Sequence, residues 1–281
     1  VTEDELGLAF LSPRGEAGGI GGLRSLVRRL AASGLPVVLT PGVIHLETVP
    51  EHRKLNRVDL GTADKLCAAA LGLHEECERL ACPPEAVSFV LLELGGAFTA
   101  AVAVERGQVV DGMGGTSGPI GWRAAGALDG EVAFLAGSIS KDLLFRGGVT
   151  SVLERQPAAR PLALSAYLEG AVKAVRQLHC SAPSARTILL SGRNAAAPDI
   201  ADRLEAELAD IGSVRRLQGF ARVAKQGAQG AAILADGLTG GRHCRLVDRM
   251  RIRQSGGTVL DHLVFVRPED ARRRLGIGNH S

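Results

Sequence analysis

The segment Glu93–Thr99 combines an acidic residue with two adjacent glycines and has the residue types of a phosphate-binding turn. Glu93 closes an apolar run, and Gly95 and Gly96 form the turn that follows it. Glycines at a turn let backbone N–H groups approach an anion without obstruction by side chains. A glycine pair is also a common signal for a hairpin turn without a ligand, so both interpretations stay open.

A second glycine-rich segment follows at 111–118, where Gly114 and Gly115 precede two hydroxyl residues, Thr116 and Ser117. These hydroxyls can donate hydrogen bonds to phosphate oxygens or to another group of a substrate. The segment is not a Walker A loop, because it lacks the Gly-Lys-Ser/Thr ending and does not open a helix. The alternative is a flexible turn that binds nothing.

Charged residues crowd the start of a long predicted helix. A helix N-terminus presents unpaired N–H groups and the positive end of the helix dipole, so it attracts anions. Asp59 and Asp64 are suited to contact a metal ion through water, and Arg57 and Lys65 are suited to supply counter-charge. The alternative is a capping arrangement in which Asp59 or Thr62 caps the helix.

Two further segments place small residues near a strand end or a helix. Ser191 and Gly192 follow an apolar strand and precede Arg193, and ligands of open α/β sheets bind beyond the carboxyl ends of strands. Gly227 lies in a stretch of small residues, 224–232, that permits close approach of a ligand. An ordinary strand-to-helix turn explains the first segment equally well, and close packing of two helices explains the second.

The composition excludes several classes of protein. Aromatic residues make up only 3% of the 281 residues, which argues against recognition of nucleic-acid bases by stacking. The 33 basic and 30 acidic residues are interspersed, so no basic stripe is present for nucleic acid or a membrane surface. The five cysteines lack zinc-site spacing, and their odd number argues against a disulfide framework.

We therefore expect a cytoplasmic enzyme that acts on a small molecule, with neither nucleic acid nor a membrane as its partner. The sequence leaves the oligomeric state open, with a homodimer among the options.

Hydrophobic periodicity predicts an α/β chain with a mixed sheet, in which an antiparallel meander comes first and helical crossovers follow. A break at Cys82-Pro83-Pro84 predicts domains at 1–82 and 83–240, followed by a C-terminal extension at 241–281. The predicted helices lie at 21–32, 62–80, 162–179, 198–208 and 222–238, and the predicted strands at 36–39, 87–94, 97–105, 108–113, 187–190 and 214–217.

The series of strands and helices from Val87 to Leu238 resembles the second ribonuclease-H-like domain of the ASKHA superfamily, which contains acetate and sugar kinases, heat-shock ATPases and actin. Glu93-Leu94-Gly95-Gly96 lies where that superfamily has its second phosphate loop, with Glu93 in place of the usual Asp. Ser191-Gly192-Arg193-Asn194 lies where it has its adenosine motif, with Arg193 in place of a second Gly.

Four segments also resemble, more specifically, an uncharacterised prokaryotic family described as predicted butyrate kinases, and this resemblance extends over most of 1–237. The superfamily has a first phosphate loop, Asp-x-Gly-Thr, between two strands near its N-terminus. Asp59-Leu60-Gly61-Thr62 matches this motif, but it follows a polar stretch and not a buried strand, so it is not expected to be that loop. The first ribonuclease-H-like domain is therefore expected to be incomplete at its N-terminus. Either that loop lies in a segment before Val1 or the protein lacks it. The four segments are 40–46, 56–65, 114–118 and 126–132.

The resemblance implies an ATP-dependent phosphotransferase that acts on a small molecule such as a carboxylate, with ATP in a cleft between the first two domains. Asp59 or Glu93 is then expected to hold Mg²⁺ through water, while Arg57 and Lys65 neutralise charge on the transferred phosphoryl group. An alcohol acceptor would use Asp59 as general base. The residues expected to bind the nucleotide are Glu93, Gly95, Gly96, Thr99, Gly114, Gly115, Thr116, Ser117, Gly192, Arg193 and Gly227.

The alternative is a non-catalytic protein of the same fold that binds nucleotide, or nothing, and acts in assembly or regulation. The departures at Glu93 and Arg193 and the first phosphate loop not found in this sequence favour it, and ASKHA domains serve as kinases, chaperones and filaments alike.

Overall fold

The computed structural model describes residues 2–11 and 22–277, and its contacts divide the chain into two compact units. The first unit comprises the described residues of Val1–Leu39, Glu51–Val58 and Gly256–Ser281. The second unit comprises Thr40–Pro50 and Asp59–Ser255. The domain boundaries predicted after residues 82 and 240 stay predictions.

The described part of the first unit is helical. Its helices are α1 (Glu3–Phe10), α2 (Leu23–Ala31), α3 (Glu51–Lys54) and α11 (Pro268–Arg274). Helix α2 matches the helix predicted over 21–32, of which Gly21 lies outside the described residues. The strand predicted over 36–39 is wrong, because the segment pairs with no strand among the described residues and Val38 is 68% exposed. A short apolar run forms a buried strand only where neighbouring strands cover it.

A mixed sheet of five strands lies at the centre of the second unit, in the order β3-β2-β1-β4-β5. The strands β1, β2 and β3 form an antiparallel meander, whereas β4 runs parallel to β1 and β5 runs parallel to β4. The predicted mixed sheet is therefore confirmed. The strands are β1 (Phe89–Leu94), β2 (Thr99–Glu105), β3 (Gln108–Met113), β4 (Thr187–Ser191) and β5 (Ser213–Arg216).

Helices cover both faces of this sheet. The helices predicted over 62–80, 162–179, 198–208 and 222–238 correspond to α4, α7, α8 and α9. None of the described helices is both long and apolar enough to cross a membrane. The helices of the second unit are α4 (Ala63–Leu80), α5 (Gly130–Ala136), α6 (Val149–Arg155), α7 (Arg160–His179), α8 (Pro198–Leu208), α9 (Gln226–Leu238) and α10 (Cys244–Arg249).

Strand β1 divides its side chains between two helical layers, as the two-residue repeat of a strand requires. Val90, Leu92 and Leu94 join the apolar core that includes residues of α7 and α8. Phe89 points to the opposite face, where it packs against Gly72 of α4. Glu93 lies on the same face as Phe89, so the sequence of β1 aims one carboxylate at α4.

Helices α4 and α9 cross at backbone distance because glycine occupies the contact. A Cβ atom on Gly230 would lie 1.7 Å from the carbonyl oxygen of Cys67. A Cβ atom on Gly227 would lie 3.2 Å from the carbonyl oxygen of Asp64. The small-residue stretch 224–232 therefore packs two helices together, and it brings the first turns of both helices to the same end of the sheet.

We expect Gly230→Ala to lower the free energy of unfolding by about 3 kcal/mol, because its methyl group overlaps the Cys67 carbonyl and forces α4 and α9 apart. The matched control is Gly130→Ala in α5, where a Cβ atom meets nothing within 4 Å. Denaturant unfolding of both variants measures the difference. A Gly230→Ala variant as stable as the control would contradict this account of the crossing.

Candidate active site

Lys65 and Glu93 form a partly buried ion pair where β1 ends and α4 begins. The Lys65 Nζ lies 2.9 Å from Glu93 Oε1 and 2.7 Å from Asp64 Oδ2. The side chains of Lys65 and Glu93 are only 15% and 18% exposed. The pair brings together two residues that the sequence assigned to different motifs, the helix entrance and the glycine turn.

Burial is the largest influence on both members of this pair, and the two charges oppose it. Burial raises the pKa of Glu93, and the ammonium of Lys65 offsets only part of that rise. For Lys65, burial disfavours the charged form, but the Glu93 and Asp64 carboxylates outweigh burial and raise the pKa. The site therefore holds a charged ammonium at neutral pH beside two carboxyl groups.

The end of β4 lies beside the end of β1, because the strands are parallel and Ser191 is paired in register with Glu93. Ser191 is 2% exposed, and its Oγ makes no hydrogen bond with any described residue. The next residue, Gly192, has a φ of +89°, and a Cβ atom there would lie 2.6 Å from the carbonyl oxygen of Leu94. Only glycine lets the chain leave β4 this close to β1.

The predicted phosphate turn after β1 has the geometry of a tight hairpin. The Gly95 N–H donates to the Phe98 carbonyl at 3.0 Å, and a Cβ atom on Gly95 would lie 2.7 Å from that oxygen. A Cβ atom on Gly96 would meet only the Arg193 Cδ, at 3.9 Å, and Arg193 is exposed. Thr99 is completely buried at the start of β2. Gly96 and Arg193 thus lie next to each other at the surface of the hairpin.

Two amide side chains outside the predicted set fasten these turns together. Gln226, the first residue of α9, accepts a hydrogen bond from the Gly192 N–H at 3.3 Å and donates to the Leu217 carbonyl. Asn194 donates to the Gly95 carbonyl at 3.0 Å, which links the end of β4 to the hairpin after β1. The signal that could have found both is an amide residue directly beside a glycine-rich turn.

Asp59 and the glycine segment 111–118 form a separate hydrogen-bonded cluster. The Asp59 carboxylate accepts hydrogen bonds from the Gly61 N–H at 3.1 Å and from both the N–H and the hydroxyl of Thr116, at 3.0 and 3.1 Å. The Ser117 hydroxyl donates to the Asp59 carbonyl. Gly114 leaves no space for a side chain, since a Cβ atom there would lie 1.7 Å from Asp59 Oδ1. This cluster fastens two loops, and its predicted catalytic and nucleotide-binding roles stay predictions.

The remaining predicted residues lie in three different places. Gly115 packs against Phe98, since a Cβ atom there would lie 2.5 Å from the Phe98 ring. Gly227 packs against Asp64 in the crossing of α4 and α9. Arg57 belongs to the first unit, so the site described here is built without it. Their predicted roles stay predictions.

The residues at the ends of β1 and β4 suit a phosphate group. They offer the Lys65 ammonium, the exposed Arg193 guanidinium and, in the hairpin after β1, a backbone free of side chains at Gly96. Guanidinium and ammonium groups are the usual partners of phosphate oxygens.

A dedicated metal site is absent from the described residues, where no three His, Cys, Asp or Glu side chains converge to hold an ion. Mg²⁺ is commonly held by one or two carboxylates together with substrate phosphates and water, so the site suits Mg²⁺ only as part of a nucleotide complex. Glu93 and Asp64 are the carboxylates beside Lys65, whereas both oxygens of Asp59 already accept hydrogen bonds.

We expect Lys65→Met to lower the free energy of unfolding by about 3 kcal/mol at neutral pH, because it leaves Glu93 buried without its cation. The stabilising effect of Lys65 is complete below its ordinary pKa of 10.5 and is lost as the pH rises through the raised pKa of the folded state. The difference between wild type and variant should therefore shrink above about pH 10.5.

The control for this experiment is Lys173→Met, which removes an exposed lysine paired with Glu169 on α7. Denaturant unfolding between pH 8 and pH 11.5 measures all three proteins. A wild-type-to-variant difference that is small at pH 8, or that does not change with pH, would show that Lys65 is not held by the pair.

Two solved structures show which fold this arrangement belongs to. The chain is similar to a propionate kinase from Francisella tularensis subsp. tularensis SCHU S4, with a TM-score of 0.57 and 13% identity over 74% of this chain and 62% of that chain. It is similar to an acetate kinase from Porphyromonas gingivalis, with a TM-score of 0.56 and 14% identity over 75% of this chain and 62% of that chain.

These kinases share the actin-like ATPase fold, so the predicted fold class, α/β with a mixed ribonuclease-H-like sheet, is confirmed. The chain spans 62% of the length of each kinase, and at this identity the likeness concerns the fold alone. The narrower resemblance to predicted butyrate kinases stays a prediction. No curated protein matches the sequence. A family model described as "Protein of unknown function (DUF1464)" matches residues 1–265, and the chain belongs to that family.

Proposed function

We propose that the chain is a cytoplasmic ATP-dependent phosphotransferase that acts with Mg²⁺ on a small carboxylate. The observation that carries this proposal is the meeting of Lys65, Glu93, Gly192 and Arg193 at the carboxyl ends of two parallel strands. Ligands of open α/β sheets bind at this edge. Two of the similar structures are a propionate kinase and an acetate kinase, which supports a short-chain carboxylate, butyrate included, as the acceptor.

Each residue of the site has a role in this proposal. Lys65 and Arg193 neutralise charge on the phosphate groups, since catalysis of phosphoryl transfer is mostly positioning and electrostatic stabilisation. Gly96 lets the backbone approach the nucleotide without obstruction, whereas Gly192 lets the chain leave β4 close to β1. Glu93 orients Lys65 and would hold Mg²⁺ through water, and the bound ion would supply charge neutralisation to the phosphates.

A carboxylate acceptor fits a site without a free general base. One acceptor oxygen forms a bond to the γ-phosphorus, the bond from that phosphorus to the β–γ bridging oxygen breaks, and the electron pair leaves with ADP. The products are an acyl phosphate and ADP, and no proton has to be removed from the acceptor. This reaction suits the site because the Asp59 carboxylate already accepts three hydrogen bonds in its own cluster.

We expect Arg193→Gln to weaken binding of Mg²⁺-ATP by about tenfold or more, because it removes an exposed guanidinium that no described residue engages. The matched control is Arg203→Gln, which removes an exposed arginine paired with Glu207 on α8. Calorimetry measures ATP binding, and ADP formation is followed with acetate, propionate and butyrate as acceptors. Absence of ATP binding by the wild type, or equal binding by Arg193→Gln, would overturn the assignment.

A non-catalytic nucleotide-binding protein is the second candidate. The observation that favours it is the pairing of Glu93 with Lys65, which leaves neither charge free in this arrangement. The same experiment separates the two candidates, because this one predicts saturable ATP binding that depends on Arg193 and no ADP formation with any of the three acceptors.

A further inference from the structure

A surface cavity of about 410 Å³, largely open to solvent, lies in the second unit, at the edge of the sheet opposite the candidate active site. Glu93 lies at the end of β1, near the start of β2, whereas Gln108 of the cavity wall begins β3 at the β2–β3 turn. Since β1 and β2 are antiparallel, that turn lies at the amino end of β1. The cavity is therefore separate from the site proposed for the nucleotide.

Three arginines line this cavity, namely Arg245, Arg249 and Arg251, together with the carboxylates Glu85 and Asp248. The cavity wall therefore carries three positive charges and two negative charges. Two of the arginines already have carboxylate partners, because Arg245 Nη2 lies 3.1 Å from Glu85 Oε2 and Arg251 pairs with Glu47. The third arginine is held differently.

Arg249 is fixed by the β2–β3 turn and lies within electrostatic reach of Glu85. Its Nε donates to the Arg106 carbonyl at 2.7 Å, and its stem packs on Gly107, where a Cβ atom would lie 3.0 Å from Arg249 Cγ. Within the described ranges, no group accepts a hydrogen bond from the two terminal nitrogens of Arg249. A half-buried guanidinium anchored through Nε presents a planar pair of donors, which matches the oxygens of a phosphate or a carboxylate.

We propose that this cavity binds a small multivalent anion that carries phosphate or carboxylate groups, with Arg249 as its principal contact. The volume of about 410 Å³ lies in the range of small-molecule sites. A ligand with at least two negative charges is required, because it has to compete with Glu85 for Arg245 and Arg249 and with Glu47 for Arg251. This inference does not depend on the proposed phosphotransfer.

Calorimetry with pyrophosphate and with citrate tests the proposal, since the two probes separate phosphate from carboxylate recognition. We expect at least one probe to bind saturably to the wild type and at least tenfold more weakly to Arg249→Gln. Arg203→Gln on α8 is the control and should bind like the wild type. Arg249→Lys keeps the charge without the planar donor pair and should bind with intermediate affinity.

Thermal unfolding of each variant checks its fold. If Arg249→Gln does not fold, the affinity of Arg249→Lys for the probes is compared with that of the wild type instead. If the Arg249 variants bind a probe as tightly as the wild type does, the anion binds elsewhere and the proposal is overturned. Failure of both probes to bind the wild type would overturn it as well. Binding of pyrophosphate alone, or of citrate alone, would confirm the cavity and identify the chemistry that it recognises.

Discussion

The crossing of α4 and α9 at backbone distance is the constraint on which the candidate site depends. Gly230 faces the Cys67 carbonyl so closely that no side chain fits, and Gly227 repeats this contact one turn earlier, at Asp64. Helices that approach this closely have little freedom to slide, because interiors are close-packed. Their first turns are therefore fixed at the carboxyl edge of the sheet, where α4 contributes Lys65 and α9 contributes Gln226.

The Lys65–Glu93 ion pair that results is partly buried. Burial makes the two charges costly, and it also holds them in one position. Burial raises the pKa of Glu93 and would lower that of Lys65 if Lys65 stood alone, so each charge depends on the other. Such pairs contribute little net stability relative to apolar residues, although breaking one is strongly destabilising. What the pair does provide is an ammonium group held in one position, and preorganised charge is what phosphoryl transfer requires.

Much of the fold could be predicted, because the second unit is built from elements with strong periodicity. The strand at 108–113 and the helix at 198–208 agree with the structure residue for residue. The strand predicted at 36–39 is wrong because burial of a short apolar run depends on neighbouring strands, which periodicity does not reveal. At the site, the sequence identified Lys65 and Glu93 separately, but their contact depends on how α4 packs. Gln226 was missed, since an amide acquires its role only where two turns meet.

The central claim is that the edge formed by β1 and β4 transfers a phosphoryl group to a carboxylate. Phosphorus NMR of the protein mixed with Mg²⁺-ATP and propionate tests it most directly, because acyl phosphate and ADP give resonances distinct from those of ATP. The account predicts that both products appear together and depend on propionate and on the protein. A spectrum in which ATP stays unchanged, while the protein remains folded, would contradict it.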